Sequence, residues 1–283
     1  MAAKVMACID ASPYAEAACD YAVWAAKRLD APMSVVHVLG RQHSQVHDLS
    51  GSIGLGAQEA LLQELAELDE SRARLALRRG RLILDAARER AEAAGISPVD
   101  ERLRHGELVP TLLELEDETR LLVLGKRGFS TADNHGHIGL HVEGVIRSLH
   151  KPILLTQQHY REPQSIMLAY DGSDTALKGL QMLADSPLGK GLPCHLVMAG
   201  ADIDATRAQM QTAAGILQKA GFATTMAIVG GEPETVLNQY QQQHNIGLMV
   251  MGAYGHSRIR QFIVGSTTTA MISKARCTLL ILR

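Results

Sequence analysis

No apolar run in these 283 residues approaches the length of a membrane span, and Lys4 and Asp10 already stand where a targeting segment needs uninterrupted apolar sequence. The expectation is a cytoplasmic protein. Neither sign of charge dominates. The 28 Lys and Arg against 30 Asp and Glu leave a formal net charge of -2, which argues against a partner chosen by bulk electrostatics, whether nucleic acid or an anionic membrane. Cysteine is scarce and scattered: Cys8, Cys19, Cys194 and Cys277 have no metal or redox spacing and read as buried small residues with reduced thiols. The Walker pattern, Gly-x4-Gly-Lys-[Ser/Thr], does not occur, and no convincing nucleophile and base pair stands out. What is there, 46% hydrophobic and 20% charged residues, is ordinary globular composition with chain enough for two cores.

The chain repeats itself. An apolar run enters an Asp and then a Ser at Lys4 to Asp10 and Ser12, and again at Ser165 to Asp171 and Ser173. Gly106 and Glu107 before a helical stretch, followed by Leu121 to Gly125 and Gly128, are matched by Gly231 and Glu232, then Leu248 to Gly252 and Gly255. Both copies close on short apolar runs, Pro152 to Thr156 and Thr278 to Leu282. Units this long hold their own cores, so the repeat is a duplicated domain: a first unit over 1–156, a polar linker over 157–164 containing Pro163, and a second unit over 165–283. In each unit apolar strands alternate with amphipathic helical segments, the pattern of an α/β parallel sheet covered on both faces. Strands are expected near 165–170, 192–199, 222–229, 247–252 and 278–282.

The most specific signal is in the second unit. The apolar run Ile246 to Met251 leads into Gly252 and Gly255, then nine residues, then Gly265, Ser266, Thr267 and Thr268 at a capped helix start. Strand, glycine loop and helix N-terminus make a phosphate cradle, because glycine admits close backbone approach and the unpaired amides of a helix start favour negative charge.

This Gly-x2-Gly-x9-Gly-[Ser/Thr] pattern resembles the nucleotide-binding motif of the universal stress protein family, and the resemblance covers essentially the whole chain as two copies. It implies two tandem five-stranded parallel-sheet sandwiches, Rossmann-like and of the adenine nucleotide-binding type, joined through their last strands into an intrachain pseudo-dimer. It implies ATP, with Mg offsetting phosphate charge, as the ligand of the second unit. On the matching positions, Asp171 faces adenine or ribose, or assists a divalent cation; Met198, matching the position after the second strand where the family usually has Val, offers its backbone to adenine. Gly252, Gly255 and His256 form the ribose and phosphate loop, and Gly265, Ser266, Thr267 and Thr268 offer amides and hydroxyls to the phosphates. The role implied is a stress-response regulator or sensor that reports nucleotide to an unknown protein partner.

The first unit departs from the motif. Ten residues separate Gly128 from Gly139, and Leu140 and His141 stand where Ser266 and Thr267 stand in the second, so weak or no ATP binding is expected there. Asp10, the counterpart of Asp171, reads as structural. This unit also carries an extension, Arg41 to about Gly56, in which the run Gly51 to Gly56 is read as linker, and a helix-prone run from Gln58 to Ala94. His135, His137 and His141 are candidate metal ligands, although glycine-interrupted histidines in a loop are more often solvated. Two alternatives stay open: slow ATP hydrolysis, and a small-ligand or metal carrier that uses the first unit. A further homodimer, through a surface the sequence does not reveal, is also open.

Overall fold

The computed structural model describes residues 3–40, 55–128, 140–252 and 271–282. In chain order the first copy runs β1 (Lys4–Cys8), α1 (Ala15–Leu29), β2 (Met33–Leu39), α2 (Leu55–Ala93), β3 (Val99–His105), α3 (Leu108–Glu114), β4 (Thr119–Gly125), α4 (Leu140–Ser148) and β5 (Ile153–Thr156). The second runs β6 (Ile166–Ala169), α5 (Asp174–Asp185), β7 (Cys194–Ala199), α6 (Asp204–Lys219), β8 (Thr224–Val229), α7 (Pro233–Gln243), β9 (Leu248–Gly252) and β10 (Thr278–Leu282). The five expected strands of the second copy all form, within three residues at either end. The helix expected from Gln58 begins at Leu55 instead, so the last two residues of the stretch read as linker belong to α2; 41–54 lie outside the described residues.

The strands form one sheet in the order β3-β2-β1-β4-β5-β10-β9-β6-β7-β8. Within each half every neighbouring pair is parallel, and the halves meet where β5 pairs antiparallel with β10, Leu154 opposite Leu280. The flanking pairs, Leu155 with Leu279 and Ile153 with Ile281, are interchanged by a pseudo-two-fold axis through that central pair. The chain is therefore an intrachain pseudo-dimer. Either strand alone would be an exposed apolar edge, and pairing removes both edges. Leu154 and Leu280 are both buried, each contributing about 1.5–3 kcal/mol by leaving water.

Two apolar cores, one on each face, run through both halves. One gathers residues of α1, α2, α5 and α6; the other gathers α3, α4, α7 and the helical residues 271–274. Local punctuation repeats with the fold. Gly106 and Gly231 both have φ +134 just before α3 and α7, a backbone state that side chains with a Cβ rarely adopt. Ser173 caps α5, its Oγ accepting from Ala176 N at 3.1 Å, and such caps are worth about 1 kcal/mol.

Polar contacts also bind the halves. Tyr21 Oη of α1 donates to Arg161 O at 3.0 Å, and Arg28 Nε donates to Leu188 O at 2.5 Å. Gln157 Nε2 donates to Ala275 O at 3.2 Å and Cys277 O at 2.7 Å.

Candidate functional site

In a parallel sheet of this kind ligands sit beyond the carboxyl ends of the strands, at the point where strand order reverses. In the second half that point lies between β6 and β9, since β7 and β8 continue from one side of β6 and β10 from the far side of β9. Three of the residues singled out by sequence gather there. Gly252 ends β9, Asp171 follows β6 by two residues, and Met198 is the penultimate residue of β7, inside the strand and not after it. Met198 is buried and pairs in register with Ile228. Gly255, His256, Gly265, Ser266, Thr267 and Thr268 lie outside the described residues, as do His135 and His137.

The turn after β6 positions Asp171. Its Oδ1 accepts from Ser173 N at 2.9 Å, and Gly172, at φ +75, bends the chain so that Ser173 starts α5. The hydroxyl of the preceding Tyr170 is pushed up by burial and then by the Asp171 carboxylate. Among the described residues, a Cβ at Gly252 would first meet Thr175, at 3.2 Å, and one at Gly200, just past β7, would meet nothing within 4 Å.

Superposing the halves by strand register places Asp10 with Asp171, Tyr14 with Thr175, His37 with Met198, Leu39 with Gly200 and Gly125 with Gly252. The first half keeps the frame and fills the space. Asp10 Oδ1 holds Ser12 N at 2.9 Å as its counterpart holds Ser173. Tyr14, buried, lies against Gly125 so closely that a Cβ there would sit 2.5 Å from the tyrosine Cβ. His37 is buried, its Nδ1 within 2.7 Å of Ile9 O. A Cβ on Gly128 would be 3.1 Å from Asp10 Oδ2, so the loop after β4 closes down on the carboxylate.

Lys126, which follows Gly125, does not face this crevice. It is buried and crosses to the other half, where Nζ donates to Ser273 O at 2.7 Å and Ala275 O at 2.9 Å. Those carbonyls end the helical residues 271–274, so the ammonium caps a helix C-terminus with favourable dipole sign. Burial, then the charge of Arg127, pushes Lys126 down to about 8. Sequence reasoning passed over Tyr14, His37 and Lys126; the first two were legible as the places where the otherwise matching copies exchange a small or flexible residue for a ring.

Among the described residues no group of three His, Cys, Asp or Glu could hold a metal ion, and no helix is long and apolar enough to cross a membrane. The four cysteines are free, and burial pushes the thiols of Cys19, Cys194 and Cys277 up to about 12.

Known proteins reproduce both the duplication and the fold. The universal stress protein family matches this chain twice, over residues 1–157 and 163–283. A universal stress protein of Synechocystis sp. is 36% identical over 285 residues, covering 99% of each chain. Among solved structures, a universal stress protein from Archaeoglobus fulgidus aligns with TM-score 0.69 at 17% identity, over 99% of this chain and 98% of that one. A putative universal stress protein from Pseudomonas aeruginosa aligns with TM-score 0.60 at 15% identity, over 99% and 92%. Two family matches in tandem, with a relative of this identity along the whole length, mean that the chain belongs to the universal stress protein family.

Proposed function

We propose that the second half binds ATP, with Mg, and that the protein acts as a stress-response regulator reporting nucleotide occupancy to a protein partner. The observation that carries this reading is the convergence of Asp171, Met198 and Gly252 at the carboxyl ends of three adjacent strands, where Tyr14 and His37 stand in the first half at the positions of Thr175 and Met198. These residues fit an adenine nucleotide. Asp171 supplies an acceptor for ribose or adenine donors, the β7 backbone around Met198 an edge for adenine, and Gly252 a place where backbone and ligand meet closely. Gly255, His256, Gly265, Ser266, Thr267 and Thr268 would complete the phosphate cradle by the helix-start chemistry already given. Mg, when bound, offsets phosphate charge. We take 1–156 and 165–283 as the two functional units, only the second of them a nucleotide carrier.

Titration calorimetry of the full chain with MgATP tests this. One site per chain, weakened at least about tenfold by Asp171→Ala through loss of a charge-assisted acceptor, is the expected result. Two equivalent sites, or no heat of binding at all, would remove the reading. Sustained phosphate release by the bound chain would replace it with slow hydrolysis.

A further inference from the structure

Helix α2 is far longer than its seat on the sheet requires. At 39 residues it extends roughly 58 Å. Only its C-terminal part is anchored, through Gly80, Leu84, Ala87 and Ala91; a Cβ at Gly80 would sit 2.8 Å from Leu103 Cδ1. On the opposite side runs a seam of leucines. Leu61, Leu68, Leu75 and Leu82 recur every seven residues, and Leu65 lies between the first two at coiled-coil spacing. Leu82 is two residues from the buried Gly80, about 200° around the helix, so the seam faces away from the sheet.

The seam is exposed. Leu65 is 42%, Leu68 45%, Leu75 63% and Leu82 62% accessible. These four are among the ten large apolar side chains exposed among the described residues, so the surface is concentrated and not scattered. Charge along the same helix is segregated. Between 61 and 71 stand Glu64, Glu67, Asp69 and Glu70 with no Lys or Arg; between 72 and 82 stand Arg72, Arg74, Arg78, Arg79 and Arg81 with no Asp or Glu. Glu70 with Arg74 at 2.5 Å, and Asp69 with Arg72 at 3.6 Å, join the two blocks along one helix.

We propose that α2 is the interface for a second copy of this chain, the two helices packing antiparallel about a two-fold axis near Ser71. Antiparallel alignment lays each leucine seam on the other and sets each acidic block against the partner's arginines, with Glu64 and Arg78 facing across at flanking positions. Parallel alignment would stack acid on acid and arginine on arginine. A helix whose charge reverses at its midpoint is complementary to itself under two-fold rotation, which is what an isologous dimer needs.

Light scattering after size exclusion, on the full chain, should give the mass of two chains. Leu68→Glu combined with Leu75→Glu should give one chain, with association weakened at least about 100-fold, as for central apolar anchors. Circular dichroism should stay unchanged, since both side chains are exposed. Ser71→Cys in the otherwise unaltered chain should cross-link to itself on oxidation, while Leu65→Cys should not, because antiparallel pairing separates the two copies of position 65. A wild-type chain of single mass overturns the proposal, whatever covers the seam. So do a two-chain mass that survives the double substitution, a Ser71→Cys chain that does not cross-link, and a Leu65→Cys chain that does.

Discussion

The two halves of this molecule share a strand order, a register, a turn at Asp10 or Asp171 and a left-handed glycine before the equivalent helices, yet they treat the crevice at the strand ends in opposite ways. In the second half the corresponding positions hold Thr175, Met198 and Gly200, and a Cβ at Gly252 would first meet Thr175 at 3.2 Å among the described residues. In the first, Tyr14 lies on Gly125, His37 turns to its own sheet through Ile9 O, and Lys126 leaves for the other half. The two frames match in strand register, and the difference lies in the side chains set on them. Tyr14 stands over Gly125 where Thr175 stands by Gly252, and Lys126 reaches across as a strut. The first half pairs the edge of β10 through β5, and its Lys126 holds the end of the helical residues 271–274.

The largest test of that division is removal of the joint. Deleting residues 278–283 takes out β10 and leaves β5 and β9 as open edges in what was the middle of the sheet. It also exposes the buried side chains that faced Leu279, Leu280 and Ile281. Losing three such residues removes at least about 5 kcal/mol of burial, so the truncated chain should melt in separate transitions and be cleaved faster near Pro163. A single transition with an unchanged cleavage pattern would mean that the halves are held together by something other than this strand pair.

Next in size is the asymmetry of the glycine motifs. Gly265→Val should weaken MgATP binding at least about 100-fold, or about 2.7 kcal/mol, because a β-branched side chain fills the approach to phosphate. The same change at Gly139 should leave affinity within about twofold, on the order of 0.4 kcal/mol. Equal losses measured by calorimetry would make the two halves equivalent, and the reading of the first as closed would fail.

Much of this comparison was legible in the residues. The apolar runs at 165–170 and 278–282, the Asp that ends each first strand, and the glycines at 106 and 231 reappear as strands, turns and φ +134 positions because each is fixed by local chemistry. Sheet pairing of the two halves was what the family resemblance implied, and the two short apolar terminal strands, exposed edges if left alone, give its physical reason. Lys126 was not legible. A lysine between glycines reads as a solvated loop residue, and nothing in its spacing shows that the backbone turns it onto carbonyls nearly 150 positions later. Nor did the sequence distance between β5 and β10 show that their pairing would be antiparallel; that follows from a two-fold relation between copies, which exists only in three dimensions.

A smaller effect is expected at Lys126. Replacing it by Met leaves the carbonyls of Ser273 and Ala275 without this donor, at a cost of about 1–3 kcal/mol. Gln157 also donates to Ala275 O, so Lys126→Met and Gln157→Leu should couple by about 0.5 kcal/mol or more in a double-mutant cycle of denaturant unfolding. Strict additivity would show that the two side chains do not share one structural task.

The finest probe is pH. Lys126 is pushed down to about 8 in the folded chain, from an ordinary value of 10.5, because burial disfavours the ammonium and Arg127 adds like charge. Between those two values the unfolded chain binds more protons at this position than the folded one, so the lysine's contribution to stability rises with pH there; it is full above 10.5 and lost as pH falls through 8. The neutral amine still carries two N–H donors, enough for both carbonyls. Other groups titrate in the same range, including the buried thiols, whose raised folded values act in the opposite direction. The measurable quantity is therefore the difference in unfolding free energy between the wild-type chain and Lys126→Met. That difference should grow in favour of the wild type by on the order of 2 kcal/mol from pH 8 to pH 10.5. A flat difference would mean that the lysine reaches water in the folded state, and that its crossing between the halves is a loose surface contact and not a buried strut.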